Sequence, residues 1–185
     1  MKRLFIAINI YPNQTLLKAC NDLQARCSQG RIKWVDASLF HLTLKFIGET
    51  TEDKIDIISK TIKKVTDSTN SFSFDLKGIG IFGSTYRPRI IRVNINNDKQ
   101  LIRLGNNLRF ELEQAGFPND RQNFVPHLTL ARIKQVQDKA FFQKSIVLYK
   151  EVFFQTIDVH EIFLYESILH PHGPEYVILD KYKLL

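Results

Sequence analysis

The tetrapeptide His-Leu-Thr-Leu occurs twice in this chain, at residues 41–44 and at residues 127–130. In both copies a polar residue alternates with an apolar one, which is typical of a strand with one face in a core. Because successive side chains of a strand point to opposite faces, each copy directs its histidine and threonine to one side and its leucines to the other. The repeat therefore predicts two strands, one in each half of the chain, that each expose a His/Thr pair.

The overall charge favours a partner that carries phosphate. Lys and Arg number 26 against 19 Asp and Glu, which gives a formal net charge of +7, as in many proteins that bind nucleic acid. With 185 residues, 44% of them hydrophobic, the chain is long and apolar enough to bury a sizeable core. We expect a single bilobal domain over residues 1–185.

Cysteine spacing and hydropathy favour the cytoplasm. Cys20 and Cys27 lie in one predicted helix, where two turns separate them by about 10.5 Å along the axis, too far for a disulfide. Free thiols are typical of a reducing compartment. No stretch approaches the roughly 18 apolar residues that a membrane span needs, so no membrane partner is expected.

Apolar periodicity predicts an α+β fold in which two closely packed lobes each present one motif strand to a central groove. The predicted helices are residues 13–28, 51–66, 98–115 and 136–146. Besides the two motif strands, the predicted strands are residues 3–10, 71–81, 89–95 and 175–184, with residues 152–169 as one long strand or a bent pair.

Two imidazoles and two hydroxyls that meet across a groove would form an acid–base site for a phosphate ester. Imidazole titrates near neutrality, so one of His41 and His127 can accept a proton while the other donates one. The hydroxyls of Thr43 and Thr129 can donate hydrogen bonds to phosphoryl oxygens. A cyclic phosphodiester suits such a site, and the chemistry requires neither a metal nor a cofactor.

Arg132 is a candidate ligand for the phosphate charge, since a guanidinium forks onto two oxygens. Strict alternation sends it to the face opposite His127, so this role requires the strand to end or to bulge between them. A solvated arginine at a strand end is equally consistent with the spacing. Strand alternation places Lys45 on the same face as His41, and we expect Lys45 to be exposed at the end of its strand.

Other candidates are weaker. His170 and His172 have the spacing of a metal pair, but no further ligand stands nearby in the sequence to complete a site. Tyr86, Arg87 and Arg89 follow Phe82 in a predicted loop. They either contact the substrate or are simply exposed loop residues, and we expect the latter.

With both motifs in view, the chain resembles the two-histidine phosphoesterase superfamily. Within it, the chain is most similar to the bacterial and archaeal RNA 2′,3′-cyclic phosphodiesterases, historically called 2′-5′ RNA ligases. The similar segments span nearly the whole chain and comprise residues 3–8, 33–35, 41–49, 124–132 and 164–167.

The resemblance implies a bilobal fold of two pseudo-symmetric antiparallel-sheet lobes, with outer helices and a central cleft. It implies hydrolysis of RNA 2′,3′-cyclic phosphate ends to a 2′-phosphomonoester without metal or cofactor. We expect the protein to be a monomer. By that analogy His127 is the general base and His41 the general acid, although the two roles could be exchanged. Thr43, Thr129 and Arg132 would bind the phosphate.

Two alternatives stay open at this point. One keeps the site but changes the substrate, to 2′-5′ RNA ligation or to another cyclic or 2′-5′-linked nucleotide. The other is a non-catalytic RNA-binding module. One departure from the family is Arg92, where its members often carry an aromatic residue, and this difference bears on base contacts.

Overall fold

Two antiparallel β-sheets, each carrying one motif strand, form the framework of the protein. The structure, a computed structural model, describes residues 1–119, 124–171 and 173–185. Within those residues the elements are β1 (Lys2–Asn9), α1 (Gln14–Arg26), β2 (Arg31–Trp34), β3 (His41–Thr50), α2 (Ile55–Thr66), β4 (Phe72–Gly83), β5 (Pro88–Asn96), α3 (Lys99–Gln114), β6 (His127–Gln135), α4 (Lys139–Val147), β7 (Phe153–Val159), β8 (Glu161–His170) and β9 (Gly173–Lys183).

The four-stranded sheet has the strand order β3-β1-β8-β9, and the five-stranded sheet has the order β2-β6-β5-β4-β7. All of the pairings between these strands are antiparallel. The motif strand β3 lies at an edge of its sheet, whereas β6 lies between β2 and β5. The predicted α+β class with two antiparallel-sheet lobes is confirmed.

Each sheet takes strands from both halves of the chain. β4 follows α2 yet pairs in the five-stranded sheet, and β8 and β9 return to the four-stranded sheet beside β1. The segment predicted as one long strand or a bent pair, residues 152–169, is β7 and β8, which separate at His160 and belong to different sheets. Because the strands exchange in this way, apolar residues of both sheets form one continuous hydrophobic cluster.

The two motif strands have equivalent neighbours. β1 pairs with β3 so that Asn9 lies opposite His41, and β5 pairs with β6 so that Asn94 lies opposite His127. β8 then flanks β1 as β4 flanks β5. This repetition of pairing gives the fold its pseudo-symmetry and presents each His/Thr pair in the same setting.

The helices pack as their apolar stripes predict. Leu16 and Leu23 of α1 are buried, as is the leucine stripe of α3. Within α3, a Cβ on Gly105 would meet the ring of Phe124 at 2.4 Å, so the glycine lets this ring sit directly on the helix. Phe124 begins the segment that leads into the second motif, and its close packing on α3 positions that segment.

Two helices begin later than predicted. Residues 52–54 form a 3₁₀ turn, and the α-helix starts only at Ile55. α4 starts at Lys139, three residues after the predicted start at residue 136, because the Asp138 carboxylate accepts a hydrogen bond from the Phe141 amide as an N-cap.

Cys20 and Cys27 are both free thiols, as their spacing predicts. Burial raises the pKa of the Cys20 thiol to about 12 and also raises the pKa of Cys27, so burial disfavours the reactive thiolate form of both residues. Among the described helices, none is long and apolar enough to cross a membrane.

Candidate active site

The structure brings all five predicted site residues together around one cavity of about 670 Å³. Its lining includes the following side chains: His41, Thr43, His127, Thr129 and Arg132. The strands that carry them come within 8 Å of one another, measured between Cα atoms, although they belong to different sheets. The cavity thus forms where the two lobes meet.

A β-bulge decides the direction of Arg132. Thr129 and Ala131 lie opposite consecutive residues of β5, so Leu130 is an extra residue on β6. As a result Leu130 and Ala131 are both buried, and Arg132 emerges on the side of His127. The bulge that a phosphate-binding role requires is therefore present.

β3 carries the same bulge. Thr43 and Lys45 lie opposite consecutive residues of β1, and Leu44 is the extra residue. Lys45 is consequently turned inward and only 5% exposed, so the prediction that it is exposed was wrong. Its Nζ donates to the Pro118 carbonyl at 2.6 Å and to Asn119 Oδ1 at 2.7 Å. Lys45 thereby ties the first motif strand to the residues that follow α3.

Both imidazoles are held in the same tautomer. His41 Nδ1 lies 2.8 Å from the Leu39 carbonyl, and His127 Nδ1 lies 2.8 Å from the Val125 carbonyl. Because a carbonyl oxygen only accepts, Nδ1 carries the hydrogen in each ring. Nε2 is then the atom that can take up and release a proton. The two rings share this arrangement because each histidine follows its carbonyl partner by two residues.

Aromatic rings surround His41. Its ring centroid lies 5.1 Å from that of Phe5 and 5.1 Å from that of Tyr176, the latter edge-on. Burial lowers the pKa of His41, the hydrogen bond to Leu39 opposes that shift, and the charges of Arg132 and His127 add to it.

A different set of neighbours surrounds His127. Its ring meets Phe82 edge-on at 4.7 Å, and the guanidinium of Arg92 lies over the same Phe82 ring, 4.3 Å from its centroid. Burial lowers the pKa of His127, and the cations Arg92 and Arg132 lower it further against the hydrogen bond to Val125. Both histidines are therefore biased toward the neutral form.

Within residues 1–119, 124–171 and 173–185, the groups that could hold a phosphate have no competing hydrogen-bond or ion-pair partner. Among the described residues, neither threonine hydroxyl (Thr43, Thr129) takes part in a hydrogen bond, and Arg132 forms no ion pair. An unpaired guanidinium and two unpaired donors at one cavity favour an anionic ligand.

Sequence reasoning missed the aromatic walls of the site. Trp34 and Tyr176 line the cavity, and Phe5 and Phe82 support the two imidazoles. Phe5 is expected on the same face of β1 as Asn9, the residue that pairs with His41. This position identifies Phe5 as a neighbour of His41 only when the pairing of β1 with β3 is known.

The paired histidines near the C-terminal turn give no support to a metal site. His170 Nε2 lies 2.9 Å from the carboxylate of Glu175 at an exposed position, and His172 lies outside the described residues. Nowhere in the described part of the chain do three or more His, Cys, Asp or Glu side chains come together as they would around a metal ion.

Comparison with known proteins agrees with this geometry. The model of the LigT like Phosphoesterase family matches twice in tandem, over residues 8–92 and 93–176, with one motif in each match. The chain belongs to this family. The predicted membership of the two-histidine phosphoesterases, and with it the prediction of an enzyme, is confirmed.

Relatives of this LigT-like phosphoesterase are similar over nearly their whole length. An RNA 2′,3′-cyclic phosphodiesterase of Thermotoga maritima is 34% identical over 181 residues, which are 96% of this chain and 92% of the relative. One of Methanocaldococcus jannaschii is 32% identical over 180 residues, covering 97% of this chain and 99% of the relative.

Solved structures share the fold. The protein TT0787 of Thermus thermophilus has a TM-score of 0.78 at 27% identity, covering 98% of this chain and 97% of that one. E. coli LigT in complex with 3′-AMP has a TM-score of 0.74 at 23% identity, covering 99% and 98%. These matches confirm the predicted LigT-like bilobal fold.

Proposed function

We propose that this protein hydrolyses the 2′,3′-cyclic phosphate end of RNA to a 2′-phosphomonoester. The observation that carries the proposal is the cavity into which both motif strands bring their His and Thr side chains, together with Arg132. The names of the relatives from Thermotoga maritima and Methanocaldococcus jannaschii support the substrate class.

His127 is the general base and His41 the general acid in this proposal. His127 Nε2 takes a proton from water as the water oxygen attacks phosphorus. The bond from phosphorus to the ribose 3′ oxygen breaks, and His41 donates a proton to that oxygen, so the phosphate stays on the 2′ oxygen. The two arginines near His127 support this assignment, because they oppose protonation of the base.

The acid must be protonated when the substrate is bound, although burial lowers the pKa of His41 in the free protein. A bound phosphodiester brings a negative charge to the imidazoles, and an opposite charge within a few ångströms raises the pKa of a histidine. The substrate therefore favours the protonated form that the departing 3′ oxygen needs.

The remaining polar groups hold the phosphoryl oxygens. Thr43 and Thr129 donate hydrogen bonds from the two motif strands, and Arg132 supplies a guanidinium fork. These donors are arranged before the substrate arrives, because the paired strands and the bulge position them. Negative charge that builds on the oxygens during attack is stabilised by the same groups, so the proposed reaction needs neither a metal ion nor a cofactor.

The apolar side chains in the lining of the cavity suit the terminal nucleoside. Trp34, Val35, Leu39, Pro174 and Tyr176 line it, and aromatic faces stack on bases without reading their sequence. A volume of about 670 Å³ lies within the usual range for small-molecule sites.

The decisive assay uses a short RNA with a 2′,3′-cyclic phosphate end and identifies the product as a 2′ or 3′ phosphate. We expect a 2′-phosphate, formed equally well after divalent metals are chelated. His41→Ala and His127→Ala should each lower kcat by roughly a hundredfold or more. Turnover at the unmodified rate by both variants would disprove the proposal.

The alternative functions give different results in the same assay. A non-catalytic RNA-binding module would retain the RNA without forming product. A 2′-5′ ligase would join a cyclic-phosphate end to a 5′-hydroxyl end, and a different nucleotide specificity would leave the RNA intact while a cyclic mononucleotide is opened. The presence of two titratable groups around one cavity favours catalysis over binding alone.

The proposal also covers the domain organisation, the oligomeric state and the cellular location of the protein. Residues 1–185 act as one bilobal domain and as a monomer, since one chain supplies both motifs and each sheet takes strands from both halves. Light scattering on the purified protein tests the monomer. The free thiols support a cytoplasmic location, which fractionation of cells tests.

A further inference from the structure

The catalytic cavity continues into a second arm that the proposed reaction does not use. This arm has a volume of about 600 Å³. It shares Thr43, Phe46, Ile90 and His127 with the first cavity, so the two arms meet at the reacting groups. A ligand bound in the first arm can therefore extend into the second.

The second arm is basic where the first arm is largely apolar. Arg87 and Arg89 line it, and no Asp or Glu does so among the described residues. The two arginines flank the buried Pro88, which places them on the same side of the chain. Neither forms an ion pair with another described residue, so their charges are available to a ligand.

A tight hairpin turn presents these arginines. The Arg87 amide donates to the Ser84 carbonyl at 3.1 Å and to Ser84 Oγ at 3.0 Å. Gly83 adopts a φ of +99°, and a Cβ there would lie 2.5 Å from the Arg87 carbonyl oxygen. Only glycine fits this turn, so the connection between β4 and β5 has a defined conformation.

The junction between the arms carries an aromatic ring. Phe46 lines both arms and is 49% exposed, although it follows a buried stretch of β3. An exposed ring beside a basic groove is the usual combination in sites for single-stranded nucleic acid, where rings stack on bases and cations track the backbone.

We propose that the second arm binds the phosphodiester immediately 5′ of the terminal nucleotide. Arg87 and Arg89 hold this phosphate with charge-assisted hydrogen bonds, while the base of the penultimate nucleotide stacks on Phe46. The preferred substrate is then an oligonucleotide of at least two residues, and not a cyclic mononucleotide. This inference rests on the proposed function, because it takes the terminal nucleotide to occupy the first arm.

Steady-state kinetics on two matched substrates test the inference. One is a nucleoside 2′,3′-cyclic monophosphate, and the other is a trinucleotide that ends in the same cyclic nucleotide. We expect a higher kcat/KM for the trinucleotide. Dividing the kcat/KM of the trinucleotide by that of the monophosphate gives the ratio to be compared. Replacing both arginines (Arg87→Ala with Arg89→Ala) should lower this ratio about tenfold, because KM for the trinucleotide rises.

The matched control removes two positive charges outside both arms, Lys18→Ala on α1 with Arg103→Ala on α3. It should leave the ratio within about twofold, because long-range effects of exposed charges are screened by salt. An equal change in the ratio for control and test variants would overturn the inference, as would a ratio that the arginine variant does not change.

Equilibrium binding provides a readout that does not depend on turnover. Fluorescence anisotropy follows the binding of a labelled trinucleotide with a 2′-phosphate end over a range of salt concentrations. Loss of the contact to this one phosphate should reduce the slope of log Kd against log salt by about 0.7, the value for each neutralised phosphate of a single strand. An unchanged slope would contradict the inference.

The two readouts separate the possible failures. If neither substrate is hydrolysed by the unmodified protein, the proposed function fails, and the salt slope still decides whether Arg87 and Arg89 bind the RNA. If both substrates are hydrolysed and the slope is unchanged in the double variant, the proposed function stands and the second arm is not an RNA site.

Discussion

The two motif strands are alike in backbone and different in charge. β3 and β6 share the same tetrapeptide, the same tautomer of histidine and the same bulge after the motif. After the bulge they diverge: β3 continues with Lys45 and Phe46, and β6 with Ala131 and Arg132. The repeat therefore duplicates the geometry of the site, while single positions next to the repeat make its two sides chemically different.

The neighbouring strands differ in the same way. Ala7 lies opposite Thr43, whereas the equivalent residue opposite Thr129 is Arg92. This one difference places a guanidinium on Phe82 and near His127. Arg92 and Arg132 therefore both lower the pKa of His127, whereas of these two only Arg132 lowers the pKa of His41. Environments that push the pKa values of two titratable groups apart favour a fixed division of acid and base roles, and this asymmetry acts in that direction.

The largest expected effect comes from the second residue after the extra residue of each bulge, which is Arg132 on β6 and Phe46 on β3. Arg132→Ala should lower kcat/KM about a hundredfold, the usual cost of losing one group that stabilises charge in the transition state. Phe46→Ala, at the equivalent position of β3, should cost less, since a ring supplies stacking and no charge. Kinetics on the cyclic-phosphate trinucleotide measure both.

Arg132→Lys serves as the control for charge, and it should recover part of the lost activity because an ammonium keeps the charge without the fork. An Arg132→Ala enzyme as active as the unmodified one would contradict the phosphate-binding role of Arg132, and with it the difference in charge between the two strands.

The next largest effect is expected at Lys45, which directly follows Leu44, the extra residue of the β3 bulge. Lys45→Met should lower the free energy of unfolding by about 2 kcal/mol, because it removes the hydrogen bonds that a charged donor makes to the Pro118 carbonyl and to Asn119 Oδ1. Lys134→Met, at an exposed position of β6, is the matched control and should have little effect. Urea denaturation measures both, and equal midpoints would show that the contacts of Lys45 with Pro118 and Asn119 do not stabilise the fold.

A smaller effect tests the difference between the equivalent positions Ala7 on β1 and Arg92 on β5. Arg92→Gln should raise the pKa of His127, because a cation near an imidazole opposes its protonation. The pKa of His41, to which Arg92 does not contribute, provides the internal reference. Titration of the two imidazoles by NMR gives both values in one experiment. A parallel shift of the two would mean that the variant acts through a general change in the cleft.

The smallest effect is common to both strands. The pKa of each motif histidine is lowered on folding, so the unfolded chain takes up protons first as the pH falls through its ordinary value of 6.5. Stability is therefore full above that pH and declines below it. Chemical denaturation at about pH 7.5 and about pH 5.5 measures the loss, and replacing both histidines by Gln should flatten the dependence. A protein equally stable at the two pH values would contradict the burial of the imidazoles.

The sequence by itself determined the two motif strands, the faces of their His and Thr side chains, the free thiols, the main helices and the family. These features follow from local periodicity and from residue types that repeat at a fixed spacing. The resemblance also singled out Arg132 from its place after the second motif, although strand alternation argued against it.

Only the tertiary structure decided where side chains stop alternating between the two faces of each motif strand. A bulge at Leu44 or Leu130 depends on the register with β1 or β5, and register is a relation between segments that are distant in sequence. The burial of Lys45, the side of the strand from which Arg132 emerges and the placement of Arg92 beside His127 all follow from that pairing. Local pattern sets which face a strand presents, and non-local pairing sets where that face shifts.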